Sequence, residues 1–429
     1  MVTKNSVIKR LGAALAVLLA FAMVMSTVSM RANAILLDKK GIYYTDFATR
    51  DDALAAADAL NTKILAEGSV LLKNDGTLPV NGNEKISVFG GMQRNPVGAS
   101  GTGLLQSLRE GGFTVNPILE TFYSSNGSIG TERINFTPQQ EQSLEMYNDL
   151  AIIFLARTGS EGNDPARITN EIEDNTDGDG VPYNWTHEAL GHKGSFIAEG
   201  ASNAPEGHKG GFVISDPDNF YKHYLEITDS EEALISYVKK HFSKIVVILN
   251  TSNAMEMANL QEDDAINAIL WIGRPGSTGL AALAGLLNGT YNPSGKLVDE
   301  WNRDFTADPT WQNFGTNDQV GGGYDYFYDA TLPGAPTQQY SLGTISGDGF
   351  KGIDYDEDIY VGYKYFETVY AEIKAGHLGY DADTHKIVKS GGATGDAAAE
   401  AWWQYAVVYP FGYGLSYTDF EMTFDSLYY

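Results

Sequence analysis

The segment Ala156-Arg157-Thr158-Gly159-Ser160-Glu161-Gly162-Asn163-Asp164 sets a glutamate between glycines, with a second carboxylate three residues on. Those are the residue types a general acid needs. A carboxyl that protonates a leaving group must keep its proton near neutral pH, so its surroundings must raise its pKa. A neighbouring carboxylate such as Asp164 pushes Glu161 in that direction. Arg157 adds a cation at the root of the same loop. The plain alternative is a solvated loop glutamate. Position along the chain favours the chemical reading, because the segment directly follows the apolar run Leu150 to Leu155. That run reads as a buried parallel strand. In open α/β sheets, working residues sit where the chain leaves the carboxyl end of a strand.

A second candidate is the glycine-rich stretch from Gly90 to Gly103, which contains Ser100-Gly101-Thr102-Gly103. It follows the short strand Ile86 to Phe89 and can contact a ligand, although a strand-to-helix turn needs glycines in any case. Neither a Walker Lys-Ser/Thr nor a full G-x-G-x-x-G follows, so no nucleotide is expected. Lys240-His241 closes a helix just before a strand, where basic residues suit the helix dipole. Asn175-Thr176-Asp177-Gly178-Asp179-Gly180 has the oxygen-rich look of a calcium loop, but Thr186 stands where a bidentate Glu belongs. It reads as a solvated acidic turn. No metal and no cofactor is expected.

The elements that position these residues follow from periodicity. Leu54, Ala57, Leu60, Ile64 and Leu65 form a helical stripe ended by Gly68. Strands are expected at Ser69 to Lys73, Ile86 to Phe89, Leu150 to Leu155, Ile245 to Leu249 and Ala268 to Ile272. Helices lie between them: Leu104 to Leu108, roughly Gln139 to Tyr147, one opened by the Thr228-x-x-Glu231 capping box, and Thr278 to about Leu287. This alternation predicts an α/β fold with a mostly parallel sheet covered on both faces. Ile168 to Tyr224 and Gly321 to about Trp402 interrupt the pattern and read as loop insertions, the second with a few short strands. Residues 405–429 alternate apolar and polar and are expected to begin a β-element.

Composition narrows the partners. Fifty-five acidic residues against 29 basic ones give a formal net charge of −26, which repels phosphates and anionic headgroups. Nucleic acid is excluded as a partner, and a neutral or cationic substrate is favoured. The 25 Tyr and 6 Trp suit stacking on sugar rings, although aromatics also fill cores. With no Cys, disulfides, thiolate zinc sites and a cysteine nucleophile are excluded. Lys4, Lys9 and Arg10 precede an apolar stretch from Leu11 to about Met30, and Ala32-Asn33-Ala34 offers a processing site. Residues 1–34 thus read as a secretory signal or an uncleaved membrane anchor. The chain is expected to be secreted or held at the cell surface.

The later motifs carry a family resemblance. Ala66 to Val80 (AEGSVLLKNDGTLPV), Ser100 to Gly103, Asn292 to Val298 (NPSGKLV), Tyr360 to Phe366 (YVGYKYF) and Tyr409 to Thr418 (YPFGYGLSYT) stand in the order of the α/β-sandwich domain of glycoside hydrolase family 3. The resemblance implies an (α/β)6-type sandwich over residues 35–404 and a closing motif at 405–429 that begins a fibronectin type III-like module. It matches Glu161 to the family's acid/base glutamate, and carries Ser100, Gly101, Thr102, Arg157 and Asp164 over as substrate contacts. Where the family often has Arg after that Asp, Pro165-Ala166-Arg167 follows here. The family's nucleophile lies on a (β/α)8-type barrel, which needs about 250 residues. The chain therefore reads as the sandwich part of a reversed-order, β-glucosidase-like retaining enzyme, inactive alone and completed by a barrel. The alternative is a non-catalytic carbohydrate-binding or interaction module on the same scaffold.

Overall fold

The computed structural model describes residues 45–124, 132–159, 168–169, 185–186, 193–197, 211–216, 225–310, 316–320, 323–327 and 357–419, with positions 421, 423 and 426. The chain divides into two compact units, Met1–Leu60 and Asn61–Tyr429. The functional argument concerns the second.

Its centre is a six-stranded sheet: β1 (Val70–Asn74), β2 (Lys85–Phe89), β3 (Thr114–Val115), β4 (Leu150–Ala156), β5 (Ile245–Asn250) and β6 (Ala268–Trp271). The spatial order is β1-β6-β5-β4-β2-β3. Every neighbouring pair is parallel except β1 with β6, which puts one antiparallel strand at the edge. The alternation of strand and helix dictates this, since parallel strands require crossovers that return over a sheet face.

The unbroken apolar runs follow from burial on both faces. Leu150, Ile152, Phe154, Val246 and Ile248 point to one side, packing with Leu104, Leu105 and Leu108 of α2 (Leu104–Glu110) and Leu283, Leu286 and Leu287 of α6 (Leu283–Asn288). Ala151, Ile153, Leu155, Ile245 and Val247 point to the other. They meet Leu119 of α3 (Pro117–Phe122), Leu144 of α4 (Pro138–Met146) and Leu234, Ile235 and Val238 of α5 (Asp229–His241). The expected α/β sandwich is present. Its helix starts are chemically defined: Thr137/Gln140 and Thr228/Glu231 each form a reciprocal capping box.

Two expectations need correction. The stripe expected on α1 (Arg50–Gly68) buries Leu65, whereas Leu54, Leu60 and Ile64 are exposed. The stretch expected to be loop from Gly321 to Trp402 contains two helices, α7 (Tyr363–Ala375) and α8 (Asp396–Ala406), joined through the hairpin Gly379–Asp381/Lys386–Val388. Phe366, Val369 and Ile373 pack on Ala398, Ala399 and Trp402 as a third core, with the Phe366 and Trp402 rings stacked 5.9 Å apart. The chain then closes as Val407–Tyr409, pairing antiparallel with Trp301–Asn302. Of residues 405–429, expected to begin a fibronectin-like module, 405–419 are described and hold the short strand Val407–Tyr409; the leading segment 1–44 and the acidic turn at 175–180 lie outside the described residues. In the insertion 168–224, two antiparallel ribbons are described, Ile168–Thr169 with Trp185–Thr186 and Lys193–Ile197 with Gly211–Asp216. Among the described residues, no helix is long and apolar enough to cross a membrane.

The seam between the sheet and α7 holds a buried acid. Glu300 is 3% exposed and neither of its carboxylate oxygens has a hydrogen-bond partner. Burial, reinforced by Asp299, Asp308 and Glu367, pushes its pKa up to about 8. Its contribution to stability is therefore complete below the ordinary value of 4.5 and is lost as pH rises towards 8. Glu300→Gln should leave stability at pH 4 nearly unchanged and raise it by roughly 1–2 kcal/mol at pH 8. Urea unfolding at the two pH values checks this.

Candidate active site

The carboxyl ends of β2, β4, β5 and β6 lie side by side, and each exit is held by contacts that only certain residues permit. After β2 the chain turns at Gly90 with φ +112°, where a β-carbon would overlap the Phe154 carbonyl of the neighbouring strand. The glycine-rich stretch from Gly90 to Gly103 then reaches across the sheet edge to the turn after β6. Thr102 N–H donates to the Ser277 carbonyl at 2.9 Å, and Gly101 lies so close to that carbonyl that any side chain would collide with it. Ser100 itself is exposed on this clamped loop. The glycines serve the turn, and the turn presents Ser100 and Thr102 at the rim.

Asn250, the last residue of β5, is the clasp. Fully buried, it accepts from Val97 N–H at 2.6 Å and donates from Nδ2 to the Val97 carbonyl at 3.0 Å and the Gly273 carbonyl at 2.7 Å. One side chain thus ties the glycine-rich loop to the exit of β6. Asn250→Ala strands a buried N–H and two carbonyls, each worth about 1–3 kcal/mol when unmet. The Val97 amide should then exchange with solvent at least about tenfold faster, read by hydrogen exchange.

The β4 exit carries the acid candidate. Arg157 is fully buried, and its guanidinium meets Glu231 in a two-pronged pair, with both N–O distances 2.6 Å. It also donates to the carbonyls of Ala156 and Glu226. Glu231 is the capping-box residue of α5, so the pair welds the strand exit to that helix. The sequence reading placed Arg157 on substrate. The structure turns its guanidinium towards Glu231 and the Ala156 and Glu226 carbonyls.

Two residues further, Gly159 is gripped from two sides: its carbonyl accepts from Ser252 Oγ at 3.2 Å and from Arg274 Nη1 at 3.3 Å. A β-carbon at Gly159 would overlap Asn253, so the chain here lies flat on the loop after β5. Arg274 also covers Gly98, whose absent β-carbon would lie 2.8 Å from Arg274 Nε. Arg274 therefore links the Ser100 loop to the stem of the Glu161 loop. Glu161 and Asp164 lie outside the described residues. What the structure describes is the convergence of the Ser100–Thr102 turn, the Gly159 stem and the Gly273–Ser277 turn on one rim.

Beneath this rim lies a buried carboxyl that holds its proton near neutral pH. Glu132 accepts the Gly91 N–H with both oxygens, at 3.0 and 2.9 Å. Burial pushes its carboxyl up to about 8, and the Glu231 carboxylate adds to that. Among the described residues, no group of three His, Asp or Glu side chains is placed to hold a metal ion. Asn250, Arg274 and Glu132 were not singled out as site residues from sequence. Their partners are main-chain groups far along the chain, which leaves no local pattern to read.

Comparison with known proteins finds relatives of this chain. The profile of the glycosyl hydrolase family 3 C-terminal domain matches residues 191–363. β-Glucosidase A of Butyrivibrio fibrisolvens is 26% identical over 391 residues, covering 84% of this chain and 35% of its own length. A β-glucosidase of Ruminococcus albus is 26% identical over 370 residues, covering 84% of this chain and 28% of its own. The chain thus spans about a third of the length of the curated relatives it matches. Among solved structures, β-glucosidase 3B of Thermotoga neapolitana in complex with glycerol aligns over 89% of this chain and 41% of its own, with 20% identity and a TM-score of 0.48. Over residues 191–363 the chain is similar to the glycosyl hydrolase family 3 C-terminal domain, and over most of its length it is similar to β-glucosidases.

Proposed function

We propose that this chain is the sandwich part of an exported retaining glycoside hydrolase that cleaves terminal β-linked glucosides, and that Glu161 is its general acid/base. The observation that carries the reading is the meeting of the Ser100–Thr102 turn and the Gly159 stem through Arg274, at the carboxyl edge of a parallel sheet. Glu161 follows Gly159 by two residues in the sequence. The β-glucosidase names of the relatives supply the substrate class.

In this reading the two carboxyl groups of a retaining site stand about 5–5.5 Å apart. Glu161 gives its proton to the leaving glycosidic oxygen while a carboxylate on a barrel-type domain attacks the anomeric carbon. The barrel is the partner half that the family resemblance implies. Glu161, now ionised, then takes a proton from the water that releases the sugar. Arg157 and Glu231 act at one remove, by fixing where the loop starts. A neutral sugar also fits a surface of net charge −26, which does not attract anions.

The test compares the 429-residue chain with the enzyme recovered from the culture medium of its source. 4-Nitrophenyl β-D-glucoside should be hydrolysed by the recovered enzyme and not by the chain alone. Turnover by the isolated chain would place a nucleophile within these residues and overturn the division of labour. Sugar binding without turnover by either preparation would instead favour a binding module.

A further inference from the structure

A second surface is built from the closing motifs. Gly412 N–H donates to the Leu297 carbonyl and Leu297 N–H to the Tyr413 carbonyl, each at 2.8 Å, so the segment 297–299 lies beside the segment 411–413. The Tyr363 and Phe411 rings are 4.8 Å apart, and Asp299 packs against Gly362. These contacts gather Val298, Ile359, Tyr360, Val361 and Phe411 on one face, and all five are exposed: Val298 by 79%, Ile359 by 61% and Phe411 by 53%. Scattered single apolar residues on a surface need no explanation, but a contiguous group does.

The backbone is strained to produce it. Asp358 takes φ +53° and Gly362 φ 55° with ψ −133°, so a tight turn closed by Tyr360 N–H to the Glu357 carbonyl pushes three successive apolar side chains outward. Around them stand Asp299, Asp358 and Glu367, all exposed, and Lys364 on the same turn leaves the balance acidic.

We propose that the face formed by Val298, Ile359, Tyr360, Val361 and Phe411 docks a polypeptide segment that carries lysine or arginine beside apolar side chains. The apolar centre supplies the area and the acidic rim selects the sign of the partner. A second copy of this chain is the wrong occupant, because it brings the same acidic rim and a further charge of −26. The inference stands independently of the glycosidase reading, since no residue of the rim around Gly159 enters it.

A displayed random peptide library panned on the protein tests it, with Val361→Glu as counter-target. Val361 and Phe411 lie on the surface, so far-ultraviolet circular dichroism should be unchanged by either substitution to Glu. Selected peptides should carry Lys or Arg next to aromatic or aliphatic residues and bind at least tenfold more weakly to Val361→Glu and to Phe411→Glu. Asp299→Lys should weaken them too, and added salt should weaken them further. Those substitutions to Glu increase the negative charge, so binding that holds or tightens would mean unspecific attraction and overturn the proposal. Acidic or wholly polar consensus sequences would overturn it, as would a dimer of this chain dissociated by Val361→Glu.

Discussion

Replacing Arg157 by Leu is expected to lower the stability of the sandwich by about 3–5 kcal/mol. The size follows from what is left behind. Arg157 and Glu231 are 0% and 1% exposed as side chains, and each supplies the other with two short charge-assisted bonds. Without Arg157 the Glu231 carboxylate remains buried, holding only its bond from Thr228 N–H among those that define the capping box. The loss is thus mainly the cost of an uncompensated buried charge, together with loosening of the β4 exit. Replacing both residues, Arg157→Leu with Glu231→Leu, should be far milder, because an apolar pair of similar volume removes the charge along with its partner. Urea unfolding of the single and double variants separates the two cases. A single variant as stable as the parent would mean that this pair does not hold the strand exit.

The second large effect concerns chemistry. With Glu161 in its proposed role of general acid/base, Glu161→Ala should reduce the hydrolysis of alkyl β-glucosides by about 10²–10⁴-fold. An alkoxide is a poor leaving group and needs the proton, whereas an activated aryl glucoside departs without it. With such aryl substrates the first step should survive and the second, which needs the same residue as base, should become limiting. kcat and KM should then fall together, since the glycosyl-enzyme accumulates. The contrast between substrates distinguishes a proton donor from a residue that merely shapes the pocket, which would depress both classes alike.

The parts of the fold that depend on unbroken burial were legible. Leu150 to Leu155 and Ile245 to Leu249 are apolar throughout because both sheet faces are covered, and no other element of that length needs such a run. The Thr228/Glu231 capping box was legible because both partners sit within one turn. Helices α7 and α8 were not, since Phe366, Val369 and Ile373 are interleaved with Tyr, Lys and Glu that mask their spacing. Asn250 and Arg274 were illegible for a different reason. Asn250 holds Val97 across 153 residues, and Arg274 holds Gly159 across 115, and in both cases the partner is a carbonyl or an amide that every residue type carries. Arg157 was singled out from sequence but its pairing with Glu231 was not, because a cation at a strand exit looks the same in sequence whether it faces outward or towards the helix behind.

The most direct measurement is azide rescue of Glu161→Ala with an activated aryl β-glucoside. A small anion fits the space vacated by the carboxylate and attacks the glycosyl-enzyme without needing a base, so the rate should rise with azide and the product should be β-glucosyl azide. An unimpaired variant, a rate indifferent to azide, or an α-azide product would contradict the assignment of Glu161 as the acid/base of a retaining site.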